Sequence, residues 1–167
     1  MLRIITIVLF LLVMSKTFGQ KPSGLFHYYA GINFNYAGNP IPDFTFPIGF
    51  GINLTVTLNN FSKIEPAIEL NVIGFPEYII PDDPGYAYGS YNFLAGAKYK
   101  VDKFIRVSLT AGPLINSNEK ILRSGVKPSL EISTKNEKLV TELYYFKIID
   151  SKIINGYIGA ALLFKIR

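Results

Sequence analysis

The sequence contains no cysteine and only one histidine. Without cysteine there is no disulfide framework, no thiolate metal site and no acylated lipoprotein cysteine. With a single histidine, His27, any histidine-dependent hydrolysis would have to use that residue. Charge is also scarce, at 17% of residues, with a formal net of +5. Losing Arg3 and Lys16 with an N-terminal leader would take that to +3. No basic cluster concentrates the remainder, which argues against a nucleic-acid partner. After the N-terminus no apolar run is long enough for a transmembrane helix, and no segment has a helical period.

The N-terminus reads as a secretory signal over residues 1–19. Arg3 supplies the positive start and Ile4 to Met14 the apolar core. Thr17-Phe18-Gly19 puts small residues at the −3 and −1 positions of a cleavage site before Gln20. A membrane anchor would need a longer run, roughly 20 apolar residues. The mature chain, 20–167, is long enough for one domain.

What fills that domain is alternation. In Phe46 to Leu58 every even position is large and apolar: Phe46, Ile48, Phe50, Ile52, Leu54, Val56 and Leu58. The odd positions from 49 on are Gly49, Gly51, Asn53, Thr55 and Thr57. Period two places these sets on opposite faces of a strand. The same pattern recurs over about Leu25–Tyr36, Ser62–Ile73, Ser90–Val101, Ile105–Pro113, Val126–Ser133, Leu139–Ile148 and Asn155–Ile166. In the seventh strand Val140, Glu142, Tyr144 and Phe146 are placed inward. The pattern predicts an all-β chain: an eight-stranded, antiparallel, up-and-down transmembrane β-barrel. Tight turns at Asn59-Asn60, Asp102-Lys103 and Lys135–Glu137 alternate with longer connections, the longest reading as Gly74 to Gly89. Short turns at one end and longer loops at the other are characteristic of outer-membrane barrels.

A soluble carrier barrel has the same period with the opposite sense, its apolar face inward. Two features favour the membrane sense. The non-apolar face is mostly Gly, Ser, Thr and Asn, which suits a cramped interior rather than a solvated coat. Its few charges come in both signs: Lys63, Glu65, Glu69, Lys98, Lys100, Arg106, Lys127, Glu131 and Glu142. These are expected to form an interior network, because buried charges must pair. Meanwhile Phe46, Ile48, Phe50, Ile52, Leu54, Val56 and Leu58 are expected to face lipid, and aromatics near strand ends (Phe26, Tyr28, Tyr36, Tyr91, Tyr99, Phe164) fit interfacial girdles.

The leader, the eight amphipathic strands and the closing strand GYIGAALLFKI resemble the porin-like outer-membrane β-barrel domain family, with the architecture of OmpA- and OmpX-type barrels. The resemblance spans the mature chain and rests on pattern rather than on individual residues. It implies an outer-membrane location, outer-membrane lipid and the barrel-insertion machinery as partners, and no cofactor. The chain departs from the family in ending Phe164-Lys165-Ile166-Arg167 rather than on an aromatic.

Chemistry is thin. Some small outer-membrane barrels are lipid-modifying enzymes with a His/Ser pair, but nothing places a serine and a carboxylate beside His27, and no enzymatic role is expected. Glu65 and Glu69 share one strand face about 13 Å apart at strand rise, too far for a glycosidase pair, and are expected to partner interior cations. Glu77, Asp82 and Asp83 lack the spacing of a calcium loop. In the longest connection Tyr78, Asp82, Asp83, Tyr86 and Tyr88 form a candidate contact surface for an extracellular ligand or protein. The expected function is structural or loop-mediated interaction and adhesion, without a wide pore. The alternatives are a narrow channel, a lipid-modifying enzyme and a soluble periplasmic carrier.

Overall fold

The computed structural model describes residues 25–38, 47–58, 63–76, 88–116, 122–149 and 155–166. These form eight strands: β1 (Phe26–Tyr36), β2 (Ile48–Leu58), β3 (Ile64–Phe75), β4 (Tyr88–Lys100), β5 (Ile105–Asn116), β6 (Leu122–Ser133), β7 (Leu139–Ile149) and β8 (Gly156–Lys165). Each pairs antiparallel with the next, and β8 returns to β1, so the sheet closes into an up-and-down barrel with no free edge. The leader, residues 1–24, lies outside the described residues, as do the Asn59-Asn60 turn and Phe46.

Period two carries through every strand. In β2, Asn53 is fully buried while Ile52 is 54% exposed, and Phe50 is exposed as well. In β7, Glu142, Tyr144, Phe146 and Ile148 point inward, and Leu143, Tyr145 and Ile149 outward. Two boundaries differ from the sequence reading. The connection after β3 is shorter than Gly74–Gly89, because Gly74 pairs with Gly89 and Phe75 with Tyr88. Phe75 keeps the inward alternation and is fully buried, so the chain stays in the sheet past a glycine that reads as a loop start. Likewise β6 begins at Leu122, opposite Ile115, ahead of the Val126 start that the alternation suggests. The polar Arg123-Ser124-Gly125 run is wall, and Gly125 is needed there. A Cβ on it would collide with the ring of the buried Phe146, and one on Gly159 with the ring of Tyr144.

Three prolines sit within strands, although proline has no N–H for the ladder. Each aims its missing donor at a gap. Pairing of β4 with β5 skips from Asn92–Leu114 to Ala95–Ala111, which passes over Pro113. Pairing of β6 with β7 skips from Val126–Lys147 to Ser129–Tyr144, which passes over Pro128. Pro66 lies just beyond the end of the β2–β3 ladder at Thr57–Ala67. On their other sides all three remain in register.

The short-and-long alternation of connections holds only in part. Residues 59–63, 101–104 and 134–138 separate strands at one end, and residues 37–47, 76–87, 117–121 and 150–155 at the other. The 117–121 connection is as short as those at the first end, because β6 begins at Leu122.

Candidate functional site

Two places gather chemistry: the barrel interior and the end with the tight turns. The interior has two tiers. Toward the longer connections it is aromatic and aliphatic. Phe146 and Tyr157 stack with centroids 4.9 Å apart, and Phe75 meets Tyr157 edge-on at 6.0 Å. Ile73, Leu94, Leu114 and Ile148 fill around them. The polar ends of these rings are satisfied. Asn92 Nδ2 donates to the Tyr157 hydroxyl at 2.9 Å, and the Tyr144 hydroxyl donates to Asn35 Oδ1 at 2.5 Å. Asn35 in turn donates to Asn33 at 2.8 Å.

Toward the tight turns the interior is ionic. Lys127 Nζ lies 2.7 Å from both Glu69 Oε2 and Glu142 Oε1, with its ammonium 4.5 Å from the centre of the Tyr144 ring. Lys98 pairs with Glu131. Glu65 takes Lys100 Nζ at 2.7 Å on one oxygen and Arg106 Nε at 3.3 Å on the other. Arg106 also donates to Glu137. All but Lys100 and Glu137 of these groups are buried, where an ion pair persists only with close geometry and further hydrogen bonds. Asn53 supplies one such contact, donating to Glu142 Oε2 at 3.5 Å, and Thr55 braces Asn53 at 3.0 Å.

The structure thus brings Glu65, Glu69, Lys98, Lys100, Arg106, Lys127, Glu131 and Glu142 together inside the barrel. Lys63 is the exception. It lies in the turn before β3, one residue ahead of the ladder, and its side chain is exposed, so it is not part of the interior network. Alternation carried back to Lys63 from Glu65 fails because, although its carbonyl still accepts from Lys100 N–H, the residue lies at the turn and its side chain is exposed. Glu137 was not singled out from sequence as more than a turn residue. It has a left-handed backbone, φ 54°, a conformation uncommon outside glycine. Its carboxylate reaches Arg106, stands 3.7 Å from Lys165 and 3.8 Å from His27 Nδ1. A glutamate where a turn favours Gly or Asn is the signal that was available.

His27 sits at this mouth, edge-on to Tyr29. Its acidic neighbour is Glu137, and among the described residues no serine hydroxyl is hydrogen-bonded to it. Of the proposed lipid-facing side chains, Ile48, Phe50 and Ile52 are exposed on the outer wall and Leu54, Val56 and Leu58 partly so. Tyr78, Asp82, Asp83 and Tyr86, and the side chain of Tyr88, lie outside the described residues. No group of three or more His, Asp or Glu among the described residues is arranged to hold a metal ion.

The tight turns are built locally. Asp102 Oδ1 accepts from the N–H groups of Phe104 at 2.6 Å and Ile105 at 2.8 Å, closing the β4–β5 turn. Those two bonds hold its carboxyl below the usual aspartate range. In the β6–β7 turn, Thr134 N–H donates to Leu139 O and Glu137 N–H to Thr134 O, both at 2.9 Å.

The chain is therefore a closed eight-stranded antiparallel barrel, consistent with the OmpA- and OmpX-type architecture. Neither a family model nor a curated protein matches its sequence. Solved structures do resemble it. The Yersinia pestis outer membrane protein Ail, determined in phospholipid bilayer nanodiscs, has a TM-score of 0.60 at 8% identity, covering 83% of this chain and 98% of that one. The crystal structure of the same protein, the attachment invasion locus protein, gives 0.52 at 11% identity over 83% and 93%. A de novo designed transmembrane β-barrel gives 0.54 at 9% identity over 88% and 98%. At these identities the likeness is one of fold.

Proposed function

We propose that the protein is an integral outer-membrane β-barrel that acts through its longer connections, as a structural or adhesive surface protein without a wide pore. The outer wall carries this reading. Ile32, Phe34, Phe50, Ile68, Phe93, Leu109, Leu143 and Ile158 are all exposed on it, while Glu65, Glu69, Lys98, Arg106, Lys127, Glu131 and Glu142 are enclosed within and the exposed Lys147 lies close to the longer-connection end of β7. In water that distribution is inverted. In a bilayer it satisfies every demand: strands pair around the closed sheet, apolar side chains meet lipid, and charges find partners inside. Strands of 10–13 residues tilted in the usual way span roughly 25–30 Å.

The filled interior supports the absence of a wide pore. Tyr157, Phe75, Phe146 and Lys127 are all but fully enclosed across the lumen, as expected where eight strands leave room only for side chains. The loop-mediated part of the reading draws on the tyrosine- and aspartate-bearing connection at residues 76–87 and on the fold shared with a protein named for attachment and invasion.

The test is gel migration of the purified outer-membrane fraction before and after boiling. A faster unheated band is expected. An unchanged mobility, or recovery in the aqueous periplasmic fraction without detergent, would sink the membrane reading. Large conductance steps in planar bilayers would remove the closed-lumen part alone.

A further inference from the structure

The three tight turns and the strand ends beside them join into a hoop of backbone hydrogen bonds. Lys100 N–H donates to Lys63 O at 2.8 Å, and Ser133 N–H to Phe104 O at 2.8 Å. Lys165 N–H donates to Lys138 O at 2.9 Å, and Ile166 N–H to Tyr28 O at 2.8 Å. Exposed lysines recur around this hoop: Lys63 in the first turn, Lys103 in the second, Lys135 and Lys138 in the third. None of the four forms an ion pair among the described residues. The two acids in these turns, Asp102 beside Lys103 and Glu137, offset only part of the charge of the four lysines. Asp102 is engaged by two backbone N–H groups, and Glu137 turns inward to Arg106. An open hollow of about 490 Å³ lies between the second and third turns, with Lys103 and Lys135 among its lining and Arg106 deeper in.

Immediately beyond the hoop the outer wall becomes apolar and aromatic, with Ile64, Tyr99, Val101 and Ile132 all exposed. Lys103 Nζ sits 4.7 Å from the centre of the Phe104 ring, a cation–π contact on a side chain that remains exposed to the surroundings of the barrel. We propose that this hoop is an interaction surface for the acidic headgroups of anionic phospholipids in the leaflet at the tight-turn end. The inference rests on the bilayer-spanning reading above. Its particular support is geometric. The cations are divided among three turns around the circumference, at the boundary where the apolar wall stops, which is where a ring of headgroups lies. A single small anion or a docked acidic protein would want them converging on one side.

A lysine near an anionic surface contributes about a fivefold preference, so four should enrich anionic lipid several-fold. The full chain would be inserted into phosphatidylcholine vesicles containing a minor fraction of phosphatidylglycerol. The barrel with its adjoining lipids is then excised in polymer nanodiscs and those lipids are quantified by mass spectrometry. Phosphatidylglycerol should be enriched several-fold over the bulk, less so at high salt. The Lys63→Gln/Lys103→Gln/Lys135→Gln/Lys138→Gln variant should lose the enrichment, and the matching Lys→Arg variant should keep it. Bulk composition around the native chain, enrichment indifferent to salt, or enrichment retained by the Gln variant would overturn the proposal. The salt series on the native chain decides the matter even if the Gln variant does not fold. A chain that inserts but shows no enrichment overturns this inference alone, whereas one that enters no bilayer overturns the membrane reading with it.

Discussion

Removing the Lys127 ammonium should be among the most damaging single changes to this barrel, and removing the Glu142 carboxylate beside it should cost less. Lys127 Nζ holds Glu69 and Glu142 at 2.7 Å each, and all three side chains are essentially sealed from solvent. A hydrogen bond to a charged group contributes about 1.5–3 kcal/mol, and Lys127→Met removes the one to Glu69 together with the ion pair to Glu142, leaving two carboxylates facing each other. Breaking a buried pair from one side costs about 3–5 kcal/mol, the range expected for this variant. The neighbourhood is also unbalanced: Lys98 and Lys127 serve Glu69, Glu131 and Glu142. Glu142→Gln removes the surplus negative charge and leaves the Lys127–Glu69 and Lys98–Glu131 pairs in place. Its single amide oxygen can accept from Lys127 or from Asn53 but not from both, so the loss should be about 1–2 kcal/mol, below that of Lys127→Met. The double variant should be more stable than Lys127→Met alone, because one stranded carboxylate has gone. The assay is urea unfolding in lipid vesicles, read by the folded and unfolded gel bands and by far-ultraviolet circular dichroism. A Glu142→Gln loss as large as that of Lys127→Met would refute the account of which charge is in excess. So would a double variant less stable than Lys127→Met.

Three further outcomes follow from the wall, the ring packing and a turn. Ile52→Lys, at an exposed position near the middle of β2, should destabilise the barrel by about 2–4 kcal/mol in bilayers, and a neutral result in vesicle unfolding would contradict the lipid-facing assignment. Gly125→Ala pushes a methyl group into the Phe146 ring, which is held from its other side by Tyr157; it should cost about 1–3 kcal/mol, and Phe146→Leu in the same chain should recover part of that. Asp102 is held below its ordinary value near 3.8 by two backbone N–H groups in the folded chain, so its contribution is present above that value and fades as pH falls through the lower folded one. Asp102→Ala should therefore be less stable than the native chain at neutral pH and converge with it in strong acid, and a gap that persists there would show that the turn is held by something other than the charge.

The sequence carries the fold far better than the site, for a physical reason. Strand faces are dictated by a period of two that any eleven residues display, and eight such runs in succession leave one closed arrangement. The phase of β7 is the hardest to read, because Leu139-Val140 and Tyr144-Tyr145 offer apolar side chains to both faces; the structure encloses Glu142 and leaves Lys147 exposed. What could not be read was pairing across the lumen. Lys127 lies on β6, Glu69 on β3 and Glu142 on β7, and their meeting depends on register and stagger around the whole barrel. Boundaries failed where small residues imitate loops. Gly74 reads as a loop start yet remains in the ladder, and Ser124-Gly125 reads as loop yet seats a ring. Lys63 failed in the opposite sense, with alternation extended one residue beyond the strand.

The interior charges also have a consequence for folding. A barrel wall in lipid gains little from burying its apolar face, since lipid is as apolar as that face. Something else must fix which residues point inward. Slipping any strand by one position turns every side chain to the other face. For β4 that would carry Lys98 out of its pair with Glu131 to the lipid face, where a charge costs more the deeper it lies. It would also leave Glu131 uncompensated inside. Buried charges on five consecutive strands, β3 to β7, set the same kind of penalty on each of those strands. On β1, β2 and β8 the inward positions hold Asn33, Asn53, Thr55, Gly159 and Ala161 instead, and there register is set by hydrogen bonds and by rings that only a glycine can seat. The ionic tier thus stabilises the barrel less by its net energy than by making every shifted register worse, which is the best-attested use of a buried ion pair.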